Sequence, residues 1–135
     1  MNQFIEHCAA IEKELSKKYG DFALFAIFAR TDIENNWDVV VSAKWMNSER
    51  EALDIVAKAL TDTLKKDEML KIARIVYLPQ KELFVTLINK LFTVQHNPVR
   101  IENCELGGLQ IKEGYIVSSV QVKSNKLTVN HVKAC

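Results

Sequence analysis

The chain holds only four glycines and two prolines in 135 residues. None of the glycines falls into GxGxxG or GxxxxGK[ST]. The two common loops that cradle phosphate with backbone N–H groups are therefore missing. Cysteine is also scarce: Cys8, Cys104 and Cys135, with no CxxC pair. The three histidines, His7, His96 and His131, lack H-x₃₋₅-H spacing, so no zinc-finger pattern can be drawn. An odd cysteine count points to reduced thiols and a cytoplasmic setting. Charge of one sign is lacking as well. Eighteen basic residues face 17 acidic ones, a net charge of +1. Nucleic acid and anionic membranes usually select a basic excess or patch, so neither is an expected partner. Lys17–Lys18 and Lys65–Lys66 each fall at the expected C-terminal end of a helix, where cations offset the dipole. No apolar run approaches the roughly 20 residues that span a bilayer. The first residues, MNQFIEHCAA, carry Glu6 and no basic leader. No GxSxG elbow occurs, and no cofactor is expected.

What is present is the pattern of one α+β domain covering residues 1–135, since nearly half the residues are hydrophobic and about a quarter charged. Residues 2–19 form an amphipathic helix, with Phe4, Cys8, Ile11, Leu15 and Tyr19 on one stripe, ended by Gly20. DFALFAIFAR (21–30) is apolar on both alternating faces and reads as a central strand covered on two sides. Phe22, Leu24, Ala26 and Phe28 share one face. The polar loop TDIENN leads to a second strand, WDVVVSAKW (37–45), expected to pair antiparallel with the first. Ser48 and Glu51 form a capping box opening a helix that runs to about Lys66. LKIARIVYL (70–78) is the third strand, with Ile72, Arg74, Val76 and Leu78 on one face. Pro79 suits the first turn of a further helix ending near Phe92. The rest, VRIENCEL, LQI, YIVSSVQVK and KLTVNHV, reads as an antiparallel meander punctuated by Gly107–Gly108, Glu113–Gly114 and Ser124–Asn125. The expected sheet has five to six mostly antiparallel strands. One right-handed parallel crossover joins the second and third, in the order α-β-β-α-β-α-β-β(-β).

The segment LFAIFARTDIENNWDVVV (24–41) resembles the outline of the nucleotidyltransferase core. In that family an apolar strand ends in Gly-Ser and the next strand carries Asp-x-Asp to hold two metal ions. Here Ala26–Ile27 stand where Gly-Ser is needed, Asp38 matches the first carboxylate, and Val40 stands at the second. The third strand offers Lys71 and Arg74 instead of a further acid. Two-metal transfer needs clustered oxygen ligands. The resemblance implies a degenerate core without its chemistry.

Trp37 and Trp45 share a strand face but lie roughly 26 Å apart at strand rise, so each is expected to seal one end of the core. Ligands of sheets with parallel units favour the crevice beyond the strands' carboxyl ends. That edge draws attention to Lys44, Trp45 and Tyr77. Arg74 stands out as a charge on an apolar strand face, expected to pair with a carboxylate. His7 is expected to be solvated and Cys8 to pack in the core.

Two classes of function follow. The first is a non-catalytic interaction or structural module that self-associates as a homodimer through exposed edge strands in VQVK and KLTV, unless Lys123, Lys126 and Lys133 block them. The second is a small-molecule binder or enzyme with a site assembled from distant residues, drawn from Asp38, Lys44, Trp45, Arg74 and Tyr77.

Overall fold

A computed structural model describes residues 3–120. The elements are α1 (Gln3–Tyr19), β1 (Phe22–Ala29), β2 (Trp37–Ala43), α2 (Glu49–Thr63), α3 (Lys66–Met69), β3 (Ile72–Tyr77), α4 (Leu83–Leu91), β4 (Val99–Leu106) and β5 (Leu109–Ser118). The sheet runs β3-β2-β1-β5-β4. β2 and β3 are parallel, and the other pairs are antiparallel. This is the α+β class with one β-α-β crossover that the sequence predicts. Ser124–Asn125, KLTVNHV and most of VQVK lie outside the described residues.

Local signals place the helix ends. The Gly20 N–H donates to the Ser16 carbonyl at 2.9 Å from a φ of +122°, a conformation open to glycine without a Cβ clash. Ser48 Oγ accepts from the Glu51 N–H at 3.2 Å and starts α2. The chain leaves the helix at Leu64 in extended backbone, two residues before the expected end, and makes the short turn of α3. Pro79 precedes α4 instead of opening it: its carbonyl accepts from Glu82 N–H at 3.0 Å in a turn ahead of the helix.

Two apolar layers sandwich the sheet. α1 and α2 cover one face, where Phe4, Cys8, Leu15, Val56 and Leu60 meet Phe25, Ile27, Val39, Val41 and Val117. α4 covers the other, where Val85 and Ile88 meet Leu24, Ala26, Val40 and Ile116. β1 is buried on both faces, as its doubly apolar sequence predicts. Each fully buried aliphatic or aromatic side chain here contributes about 1.5–3 kcal/mol. Trp37, against Phe4 and Tyr115, and Trp45, against Tyr19 and Phe22, lie at opposite ends of the first layer.

The departures from simple alternation have one physical cause: β-irregularities switch a strand's phase. A register shift between Phe22 and Leu24 turns Phe22 to the α1–α2 side, away from Leu24, Ala26 and Phe28. A shift beside Trp37 and Asp38 puts Ile72 on that same side with Ile75 and Tyr77, away from Val76 and Leu78. LQI and YIVS are one continuous strand, and Glu113–Gly114 is not a turn. Ile111 and Ile116 are an odd number of residues apart yet face the same layer, as do Ile101 and Cys104 on β4. Asn103, at φ +53°, lies at the phase change on β4. Gly107 and Gly108, both at positive φ, close the hairpin as their sequence predicts.

Candidate functional site

A cavity of 540 Å³ opens on the α4 face of the sheet. Phe28, Val40, Val76, Leu78, Phe84 and Ile111 supply its apolar walls. Arg30, Asp32, Asp38, Arg74 and Gln110 supply its polar groups. A volume in this range suits a small organic molecule.

Strand register builds the floor. Arg74 on β3 is level with Asp38 on β2, Asp38 with Phe28 on β1, and Phe28 with Gly114 on β5. The row thus passes from charge to aromatic ring to a residue with no side chain. Gly114 is required there. A Cβ on it would lie 2.5 Å from Phe28 Cδ1 and 3.2 Å from the Ile27 carbonyl oxygen. The Phe28 ring occupies that space and meets Phe84 edge-on, with centroids 5.9 Å apart.

The polar end is an ion-pair chain. Arg30 holds Asp32 with both prongs of its fork, Nε to Oδ1 and Nη2 to Oδ2, each at 2.9 Å. The Arg30 hydrogen bond, opposed by desolvation and aided by charge, holds the Asp32 carboxyl below its ordinary range. Asp32 in turn raises Arg30. Arg74 Nη2 donates to Asp38 Oδ2 at 3.3 Å. Asp38 Oδ1 lies within ion-pair reach of Arg74 Nε (3.2 Å) and Arg30 Nη1 (3.5 Å). Oδ1 is closed to solvent, and these two guanidiniums balance its charge.

Of the residues singled out in sequence, Asp38 and Arg74 meet here, in the pairing expected for Arg74. Lys44, Trp45 and Tyr77 do not line the cavity. Lys44 is exposed. Trp45 Nε1–H donates to the Gly20 carbonyl at 2.9 Å and ties the end of β2 to that of α1. Tyr77 packs against the α1–α2 layer. Leu78, which follows Tyr77 after β3, does line the cavity, together with Asp38 and Val40 of β2. Sequence reasoning missed Arg30 and Asp32, which read as a strand end and a loop. The available signal was their i, i+2 spacing of opposite charges. On β3, the position level with Asp38 holds a guanidinium where the nucleotidyltransferase outline would need an acid.

Two buried carboxylates elsewhere are bound to histidines. Glu12, wholly buried on α1, accepts from Ser16 Oγ at 2.7 Å and lies 2.8 Å from His96 Nδ1. Glu68 accepts from the Lys65 N–H at 3.0 Å and lies 2.8 Å from His7 Nδ1. His7 is therefore half-buried and bonded, contrary to the solvated position expected for it. Burial works against the charge of Glu68, but the Lys65 N–H and His7 more than offset it, and its carboxyl is held below the ordinary value. Cys8 is buried and free, and burial, with the charge of Glu68 in second place, pushes its thiol up to about 12. No helix among the described residues is long and apolar enough to cross a membrane. Comparison with family models, with curated proteins and with solved structures finds no match for this chain.

Proposed function

We propose that this chain is a non-catalytic small-molecule-binding domain that takes an amphipathic ligand in the cavity between α4, β1–β3 and the β4–β5 hairpin. The observation that carries the reading is the open cavity of 540 Å³ itself, with apolar walls from Phe28, Val40, Val76 and Ile111 and charged side chains gathered at one end. Binding is favoured over acid–base chemistry by the state of the carboxylates. Asp32 is held low by Arg30, which makes it a weak base, and Asp38 is tied to Arg74. The test is a methyl and aromatic NMR titration with phenylalkane and indole fragments. Shifts concentrated on Phe28, Val40, Val76 and Ile111 are expected. No shift there at millimolar fragment would end this reading.

A second reading, self-association, has its own support. β3 is a sheet edge, with Ala73 and Arg74 exposed and Leu70 beside it 75% exposed. An open edge next to an exposed apolar side chain suits pairing with a second copy. Light scattering after size exclusion decides it, since a 15.4 kDa species at high concentration excludes the dimer. Cytoplasmic residence belongs to the same proposal, although Cys104 is disulfide-bonded where reduced thiols are expected, and recovery of the native protein from an exported fraction would refute it.

A further inference from the structure

We infer that a second copy of this chain pairs with β3 through its own β3, antiparallel about Ile75, so that the two sheets become one. This rests on the self-association reading above and names its surface and geometry. β3 has the make-up of an interior strand. Ile72, Ile75 and Tyr77 pack on the α1–α2 layer, and Val76 packs on the α4 layer with Leu78 just beyond it. A strand apolar on both faces belongs inside a sheet. β3 nevertheless ends the order β3-β2-β1-β5-β4, and among the described residues no strand pairs with its outer side. Ala73 and Arg74 are exposed there.

Proline and lysine, which guard many edges, are missing from β3. Its irregularity falls beside Ile72 and leaves Arg74–Tyr77 in regular register. Arg74, its single charge, reaches away from the open side to Asp38 on β2. The opposite edge is blunted: β4 exposes Arg100, Glu102 and Glu105, and Asn103 breaks its phase. Backbone alternation gives β3 its contact residues. The Leu78 N–H donates to the Val41 carbonyl at 2.9 Å, so Leu78 faces β2. Val76 then faces β2 as well, and Ile75 and Tyr77 present N–H and C=O to the open side. The edge is complementary to itself in size and charge. Centred on Ile75, antiparallel pairing sets Ala73 against Tyr77 and Arg74 against Val76, so a small side chain meets a ring and no like charges oppose. Centring on Arg74 would set two guanidiniums directly opposite. Centring on Val76 would bring Pro79, which has no N–H, against Ala73. Centring on Ala73 would run Tyr77 into α3 of the other copy.

The test combines light scattering after size exclusion with amide exchange on the whole chain. A species of roughly twice 15.4 kDa is expected, with the Ile75 and Tyr77 amides protected. Ile75→Pro removes the outward N–H from both copies, leaves the β2–β3 ladder its bonds, and should weaken the dimer at least about tenfold. Ala73→Lys, at an exposed position, sets a charge against Tyr77 of the partner subunit and should weaken it likewise, with the fold kept by circular dichroism. Should Ile75→Pro not fold, Ala73→Lys decides alone. A dimer that Ala73→Lys leaves unweakened, or one whose Ile75 and Tyr77 amides exchange freely, overturns the inference while self-association stands. A monomeric wild-type chain with those amides unprotected ends both. A monomer with them protected means that the chain covers β3 with its own residues, and it overturns the inference as well.

Discussion

Gly114→Ala is the most direct probe of how the cavity floor is held. The new Cβ would lie 2.5 Å from Phe28 Cδ1, 3.1 Å from Cε1 and 3.2 Å from the Ile27 carbonyl oxygen. The backbone oxygen is fixed in the β1–β5 ladder, so the ring must yield. Its room is limited, since Phe28 is only 8% exposed and rests edge-on against Phe84. Overpacking of this kind costs about 1–3 kcal/mol. Replacing glycine within a strand returns about 0.5–1 kcal/mol through the unfolded chain. The net loss is then roughly 0.5–2 kcal/mol. With a urea m-value of about 1.5 kcal/mol/M, the midpoint falls by roughly 0.3–1.3 M. Phe28→Val removes the ring and costs about 2–4 kcal/mol by itself. In the double variant the alanine meets no ring, so the two losses should fall short of additivity by about 1 kcal/mol or more. Urea melts of the four proteins measure this. A Gly114→Ala chain as stable as the wild type, or strict additivity, would refute the account of the floor. The ring pushed off Gly114 should also weaken fragment binding in the cavity.

Three further outcomes are expected. His96→Ala leaves wholly buried Glu12 with Ser16 as its remaining partner and should cost about 1–3 kcal/mol in urea melts. Adding Glu12→Met should recover much of that loss, because no carboxyl short of partners is then left buried, and a double variant less stable than His96→Ala would contradict this. Because the folded carboxyl of Glu68 is held below its unfolded value, its contribution is fully present above about pH 4.5 and is lost as pH falls through the lower folded value. Glu68→Gln should therefore shrink the acid limb of the stability curve, and an unchanged limb would show that other carboxylates govern it. Cys8, with its thiol pushed up to about 12, should resist iodoacetamide at pH 8 in the folded chain and react on unfolding, as peptide mapping would show. Rapid native labelling would mean that α1 opens locally.

Much of the element order was legible because its signals are local. Ser48, Gly20 and the Gly107–Gly108 turn act within a few residues, and the doubly apolar run of β1 marks a central strand wherever it lies. The errors fell where one residue changes phase. Ile72 and Phe22 have the periodicity of one face, but a register shift beside each puts them on the other. Glu113–Gly114 reads as a turn because alternation breaks there. The chain instead continues as a strand, with Gly114 leaving room for a ring on β1.

Sequence alone determined the class of fold, the central place of β1, the capped helices and the absence of the common phosphate-loop and zinc-finger motifs, since these depend on residue type and short spacing. It also marked Asp38 and Arg74 as unusual on apolar strands. Only the tertiary structure decided that they stand level on parallel neighbours and that Arg30 joins them from the end of β1. The same is true of the β4–β5 hairpin, which lines one side of an open cavity on the α4 face of the sheet. Those facts depend on register and strand order, which are set by packing between segments far apart in the chain. No spacing along one segment encodes them.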